Sequence, residues 1–204
     1  MKAVLLIGNN YKINKLDFKD SYVVGIDKGA LICLKNNIKM DLAIGDFDSI
    51  NKNDYENLKN SKTKIIKLNE IKDDTDTEYA LKHLKNYDEI LILGGITGKR
   101  IEHFIAMLNY IKTYTNVILK DDNSIIYSIE KDEFIKKDNE YKYISFFSLL
   151  DDTIINLEGF KYNLKNYNLK QHDSLCISNE INSDYGIIKL KGRILIIKTK
   201  DDSI

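Results

Sequence analysis

Ile44-Gly45-Asp46-Phe47-Asp48-Ser49 is the stretch on which the reading of this 204-residue chain turns. Leu42 to Ile44 is an apolar run of the length of a buried strand. It stops at a glycine and then releases two carboxylates. In extended or turning backbone, positions two apart lie on the same side. Asp46 and Asp48 can therefore converge on one cation while Phe47 points the other way, into the core. Aspartates just past the end of a strand, in a chain that alternates strands with helices, fall where open α/β sheets place their ligands.

Working outward, the alternation holds over the first 120 residues or so. Ala3–Ile7, Tyr22–Ile26, Leu42–Ile44, Lys64–Leu68, Glu89–Leu93 and Asn116–Leu119 read as strands. Helices are expected from Ala30, over Asn53–Lys59, after Asp76 and after Gly98. An aspartate or threonine caps the third helix, and acids crowd its first turn. In the fourth, Ile101, Phe104, Ile105, Leu108 and Ile111 fall on one face at the 3-and-4 step, which predicts that this face is buried. Together these elements predict a Rossmann-like, mostly parallel α/β domain over residues 1–122.

From Ser124 the pattern changes. Ser124–Ile129, Tyr141–Phe147, Thr153–Leu157, Ser174–Ile177, Tyr185–Leu190 and Arg193–Lys198 read as strands. Turn-like Asp, Asn and Gly separate them, among them Asn166 to Asn168 and Gly192. This is the pattern of a smaller, all-β antiparallel sandwich or barrel over residues 123–204. No Gly/Ser linker divides the halves, and there is no repeat or low-complexity tract.

Composition narrows the classes of function. Lys+Arg and Asp+Glu both number 31, so no net field draws the chain to nucleic acid or to an acidic membrane. The first apolar run, Met1 to Ile7, is too short for a signal core, and no run approaches the length of a membrane span. Cys33 and Cys176 sit in apolar surroundings, as buried free thiols do in a reducing cytosol. The expected setting is cytoplasmic, with neither nucleic acid nor membrane as partner.

Several chemistries are excluded by pattern. Gly94-Gly95-Ile96-Thr97-Gly98-Lys99-Arg100 is not a P-loop, since Leu93 and Arg100 stand where a glycine and a Ser/Thr are required. The dinucleotide fingerprint fails on its intervals. There is no HExxH, CxxC or GxSxG, and His83, His103 and His172 are scattered.

A set of acids and a phosphate cradle remain. Asp27 follows the second strand, Asp46 and Asp48 the third, and Asp73, Asp74 and Asp76 open a helix. Hard oxygen ligands suit Mg²⁺, which is commonly shared with substrate phosphates. Gly94, Gly95, Thr97 and Gly98 let backbone N–H groups approach an anion at a helix start. Arg100 can clamp phosphate oxygens, Lys99 adds charge, and His103 lies one turn in. Each feature alone has a bland reading: Asp-x-Asp as a solvated turn, Asp73–Asp76 as a helix cap, Lys28 as solvated. Their recurrence at one end of successive strands favours a metal–phosphate site for phosphoryl transfer.

The constellation resembles a known family. Asp27-Lys28-Gly29-Ala30, Gly45-Asp46-Phe47-Asp48-Ser49, Asp73-Asp74-Thr75-Asp76 and Gly98-Lys99-Arg100-Ile101-Glu102-His103 stand in the order of thiamine pyrophosphokinase motifs. Ile144-Ser145-Phe146-Phe147, Gly159-Phe160-Lys161-Tyr162-Asn163-Leu164 and Ile177-Ser178-Asn179 resemble its C-terminal signatures. The chain departs from the pattern at Lys28 and Lys99, where the family usually has glycine, and at Glu102, where it usually has aspartate.

The resemblance implies transfer of a diphosphate from ATP to the hydroxyl of thiamine, giving thiamine diphosphate and AMP. It implies Mg²⁺ held by Asp46, Asp48 and Asp76, with Arg100 on phosphate oxygens and Asp27 or Asp73 accepting the hydroxyl proton. It also implies a homodimer with thiamine sites at the subunit interface, where Ser178 and Asn179 touch thiamine. With no tryptophan in the chain, stacking on the cationic vitamin falls to Tyr or Phe, and Tyr185 is a candidate. The alternatives are a related pterin-alcohol diphosphokinase, a non-catalytic nucleotide or thiamine-diphosphate sensor, and a metal-dependent phosphohydrolase.

Overall fold

The computed structural model describes residues 1–8, 11–69, 74–98 and 100–201. The chain divides into two compact units. One comprises Met1–Met107 with Asn116–Asp122, and the other Leu108–Thr115 with Asn123–Ile204.

The first unit is built on parallel strands: β1 (Lys2–Ile7), β2 (Ser21–Ile26), β3 (Leu42–Gly45), β4 (Lys64–Lys67), β5 (Glu89–Leu93) and β6 (Val117–Lys120). Their order across the sheet is β4-β3-β2-β1-β5-β6. The chain thus builds outward from β1 in one direction and then restarts on its other side with β5. That reversal opens a crevice at the carboxyl ends of the strands. Ala3 to Leu6 and Ile90 to Leu93 are buried, as strands covered on both faces must be. Helices α1 (Lys28–Lys35), α2 (Lys52–Asn60), α3 (Asp76–His83) and α4 (Ile101–Thr113) connect them. Asn51 caps α2 and Thr75 caps α3 through their side-chain oxygens.

In the second unit, β13 (Ile194–Thr199) pairs antiparallel with β7 (Ser124–Ile129) and with β9 (Tyr143–Ser148). A second sheet has the order β11-β10-β12-β8, from β11 (Leu164–Leu169), β10 (Thr153–Glu158), β12 (Tyr185–Lys191) and β8 (Glu133–Lys136). The core between them gathers Ile144, Phe146, Ile155, Leu157, Ile188 and Ile196. Phe146 meets Phe160 edge-on, with ring centroids 5.6 Å apart. The mixed architecture agrees with the sequence reading: parallel α/β first, antiparallel β second.

Several local expectations were overturned. Asn166 to Asn168 form no turn and lie inside β11. The strand bulges there: its register against β10 shifts between Ile155 and Leu157, and Asn166 adopts φ 47°. Asparagine suits that conformation, and its backbone N–H donates to Asn156 Oδ1. Ser174–Ile177 is a loop in which only Cys176 is buried, although its apolar alternation mimics a strand. Strand β8 and a 3₁₀ turn at Lys15–Phe18 had no clear signal. On α4, Met107 and Ile111 are buried while Ile101 and Ile105 are 65% and 55% exposed, so the apolar face read from spacing is rotated. Among the described residues no helix is long and apolar enough to cross a membrane.

Candidate active site

The acids are placed by backbone conformations that most residues avoid. After β2, Asp27 adopts φ 45° and ψ −114°, and its N–H donates to Ile44 O of the neighbouring strand. After β3, Phe47 adopts φ 59°. Its ring is buried and lies 5.6 Å from the ring of Tyr55, so the residue between the two aspartates is anchored in the core, as alternation predicts. Non-glycine residues in such regions cost about 1–3 kcal/mol each and persist only where surrounding structure enforces them.

These two turns meet. The Phe47 N–H donates to Asp27 Oδ1 at 3.4 Å, and the Asp48 N–H donates to Asp46 Oδ1 at 3.1 Å. A Cβ on Gly45 would lie 1.9 Å from Asp27 Oδ1, so only glycine admits the carboxylate against β3. Asp76, the first residue of α3, joins them and shares a side-chain hydrogen bond with Asp27. Burial, then the negative charge of Asp76, pushes the Asp27 carboxyl up to about 7. Asp46 adds a smaller push, and the Phe47 N–H opposes it.

The acids line a cleft of about 770 Å³. Asp27, Asp46, Asp48 and Asp76 line it together with Thr97, Arg100 and His103. The structure brings these seven side chains to one cleft. Gly95 lines the cleft as well, whereas Gly94 is buried and gives its N–H to Lys120 O. Both glycines have φ near 90°. Gly98 is exposed outside the cleft lining. Asp73 and Lys99 lie outside the described residues. Arg100 Nε donates to Glu102 Oε1 at 2.7 Å, which holds the Glu102 carboxyl below its usual range.

Does the donor set suit a cation? Among the described residues no group of three or more His, Cys, Asp or Glu side chains is arranged to hold a metal ion by itself. The arrangement instead offers carboxylates at close quarters, one of which retains a proton to about pH 7. One or two protein carboxylates completed by water and phosphate is the coordination Mg²⁺ favours, so the residues fit. The geometry differs from the Asp46, Asp48 and Asp76 grouping in one respect: Asp76 is closest to Asp27, and Asp48 is exposed.

The profile of the "Thiamin pyrophosphokinase, catalytic domain" matches residues 13–125. That of the "Thiamin pyrophosphokinase, vitamin B1 binding domain" matches residues 132–195. The chain belongs to the thiamin pyrophosphokinase family. It is 32% identical over 186 residues to thiamine pyrophosphokinase of Bacillus subtilis (strain 168), covering 87% of each chain. The crystal structure of the thiamine pyrophosphokinase from Bacillus subtilis is similar with a TM-score of 0.88 at 28% identity, over 98% of this chain and 100% of that one. That of the thiamin pyrophosphokinase from Geobacillus thermodenitrificans gives 0.85 at 26%, over 99% and 98%.

Two residues singled out in the second unit differ in what they can offer. Within the stretch matching the vitamin B1 binding domain, Asn179 is 2% exposed and its amide is committed to the fold. Oδ1 accepts from the N–H groups of Tyr162 and Glu180, and Nδ2 donates to Tyr162 O. Ser178, with φ 56°, gives its N–H to Ser145 Oγ and is exposed. Tyr185 is 51% exposed on β12. Asp74 and Thr75, read from the sequence as part of the acidic helix start, line the cleft too, and so do Thr77, which sequence reasoning passed over, and Lys28, which it treated as solvated. Asp74 pairs with Lys82 at 2.7 Å.

Proposed function

We infer that the chain works as a thiamine diphosphokinase, moving a diphosphate from ATP to the hydroxyl of thiamine and releasing AMP. The observation that carries this is the convergence of Asp27, Asp46, Asp48 and Asp76 with Thr97, Arg100 and His103 in one cleft of the α/β unit. Sites of phosphoryl transfer depend on positioning and on charge stabilisation, and this cleft offers residues for both.

One or two of Asp46, Asp48 and Asp76, completed by water and phosphate oxygens, would hold Mg²⁺, which when bound neutralises charge on the triphosphate. Arg100 steadies phosphate oxygens, assisted by Thr97 and by the backbone around Gly95. His103 faces the same cleft one turn along α4. Asp27, held near neutrality by burial and by Asp76, is suited to accept the hydroxyl proton as the β-phosphorus is attacked. The residues 1–122 are proposed as the ATP-binding domain and 123–204 as the thiamine-binding domain, with Ser178 reaching thiamine and Asn179 shaping that loop.

We further propose a homodimer with thiamine sites at the subunit interface, and a cytoplasmic setting. The exposed Ile101 and Ile105 support the first, and the buried free thiols Cys33 and Cys176 the second. The test is direct: incubate the chain with Mg·ATP and thiamine, and follow AMP and thiamine diphosphate together. Both should appear in equal amounts. Diphosphorylated pterin with untouched thiamine would favour the pterin reading, inorganic phosphate a hydrolase, and bound ligand without AMP a sensor.

A further inference from the structure

We propose that Lys28 is a phosphate-contacting residue of the cleft, binding the triphosphate of the nucleotide; the inference rests on the diphosphate-transfer reading. Lys28 lines the cleft beside Asp27, is exposed, and makes no ion pair or hydrogen bond among the described residues. Among the described residues the other permanent cation lining the cleft is Arg100, which pairs with Glu102. A polyanionic triphosphate entering a cleft lined by five aspartates, Asp27, Asp46, Asp48, Asp74 and Asp76, needs positive charge on the protein side.

The placement is odd as architecture. Lys28 is the first residue of α1, whose first turn has no acidic residue and whose N-cap, Asp27, turns its carboxyl to the Phe47 N–H and to Asp76 and caps none of the helix's own N–H groups. A cation at the positive end of a helix is disfavoured, and an anion held there removes the conflict. The root of the side chain is also fixed. On one side Asp27 is locked at φ 45°, and on the other a Cβ at Gly29 would meet Leu6 O at 1.8 Å, so α1 begins jammed against β1. A flexible four-carbon stem on a rigid base suits a lysine that meets a phosphate as a point charge.

The experiment compares the full chain with Lys28→Gln and Lys28→Arg, in Mg²⁺, by equilibrium binding of non-hydrolysable α,β-methylene-ATP and of inorganic triphosphate, and by steady-state kinetics. Loss of a charge-assisted contact should weaken binding of the analogue about 10- to 100-fold. KM for Mg·ATP should rise in parallel, with kcat changing far less. Lys28→Arg should recover most of the binding, and the salt dependence of triphosphate binding should flatten in Lys28→Gln. Unchanged or tighter binding of both probes by Lys28→Gln overturns the proposal. If the wild type forms no AMP from ATP and thiamine, yet its analogue binding depends on Lys28, the diphosphokinase reading fails and this inference stands. If AMP forms normally and binding ignores Lys28, the reverse holds.

Discussion

The Asp27 carboxylate occupies the space a side chain at Gly45 would need: Oδ1 lies 1.9 Å from the ideal position of a Cβ on residue 45. Residues from the ends of two adjacent strands, β2 and β3, are thereby fitted to each other, and the fit decides where the carboxyl proposed to accept the proton points. Gly45→Ala should destabilise the chain by about 1–3 kcal/mol through overpacking and depress kcat, because Asp27 must swing away. Thermal denaturation and turnover check this. The double variant Gly45→Ala/Asp27→Gly should regain most of the lost stability and none of the activity, a coupling that independent sites do not show.

The raised carboxyl of Asp27 has a consequence for pH. Its folded value of about 7 lies above the ordinary 3.8, so the folded state keeps a proton that the unfolded state has already released. The stabilisation is complete below pH 3.8, declines as pH rises, and is gone once pH passes about 7. Measured without Mg²⁺, the wild type should lose stability relative to Asp27→Asn as pH rises over that window, and the gap should level off above it. Mg²⁺ added at pH 8 should raise the melting temperature of the wild type, with a smaller gain in Asp76→Asn.

Asp46→Asn and Asp48→Asn should each abolish Mg²⁺-dependent diphosphate transfer while leaving the fold intact. Asp48 is exposed, so its replacement should move stability by no more than about 0.5 kcal/mol. Asp46 accepts the Asp48 N–H, and asparagine can keep that bond. Circular dichroism and AMP release, measured side by side, check both. A variant that unfolds, or that retains full turnover, contradicts the assignment.

Exposed Ile101 and Ile105 belong to a different argument. Replacing both with glutamate should leave the monomer's stability nearly unchanged, since neither is buried. Light scattering after size exclusion should show a shift from dimer to monomer. If the wild type is already monomeric at working concentration, the proposed dimer fails.

How much of this was legible beforehand follows from what each signal measures. The strands of the α/β unit are continuous apolar runs ended by Gly, Asp or Asn, and they were readable because burial on both faces leaves no alternation to confuse them. The acids were readable because spacing and strand ends put Asp27, Asp46, Asp48 and Asp76 at one edge. The pairing of Asp27 with Asp76 was not, since it depends on how far α3 leans over the sheet. Nor was the committed amide of Asn179, because a Ser-Asn dipeptide looks the same whether it faces a ligand or ties a loop. On α4, Ile101, Phe104, Ile105, Leu108 and Ile111 gave a strong helical period. A period fixes a stripe's width but is silent about what covers it, and Met107 was the residue that turned inward.

Phe47 carries a last consequence. Because its ring is wedged beside Tyr55 while its neighbours carry the charges, the two aspartates inherit their coordinates from the packing beneath them. Substitutions of Tyr55, which lies outside the cleft lining, should therefore register in turnover as well as in melting temperature. In this chain a screen for lost turnover is also a map of a hydrophobic floor, and variants selected for speed will report on how well that floor is laid.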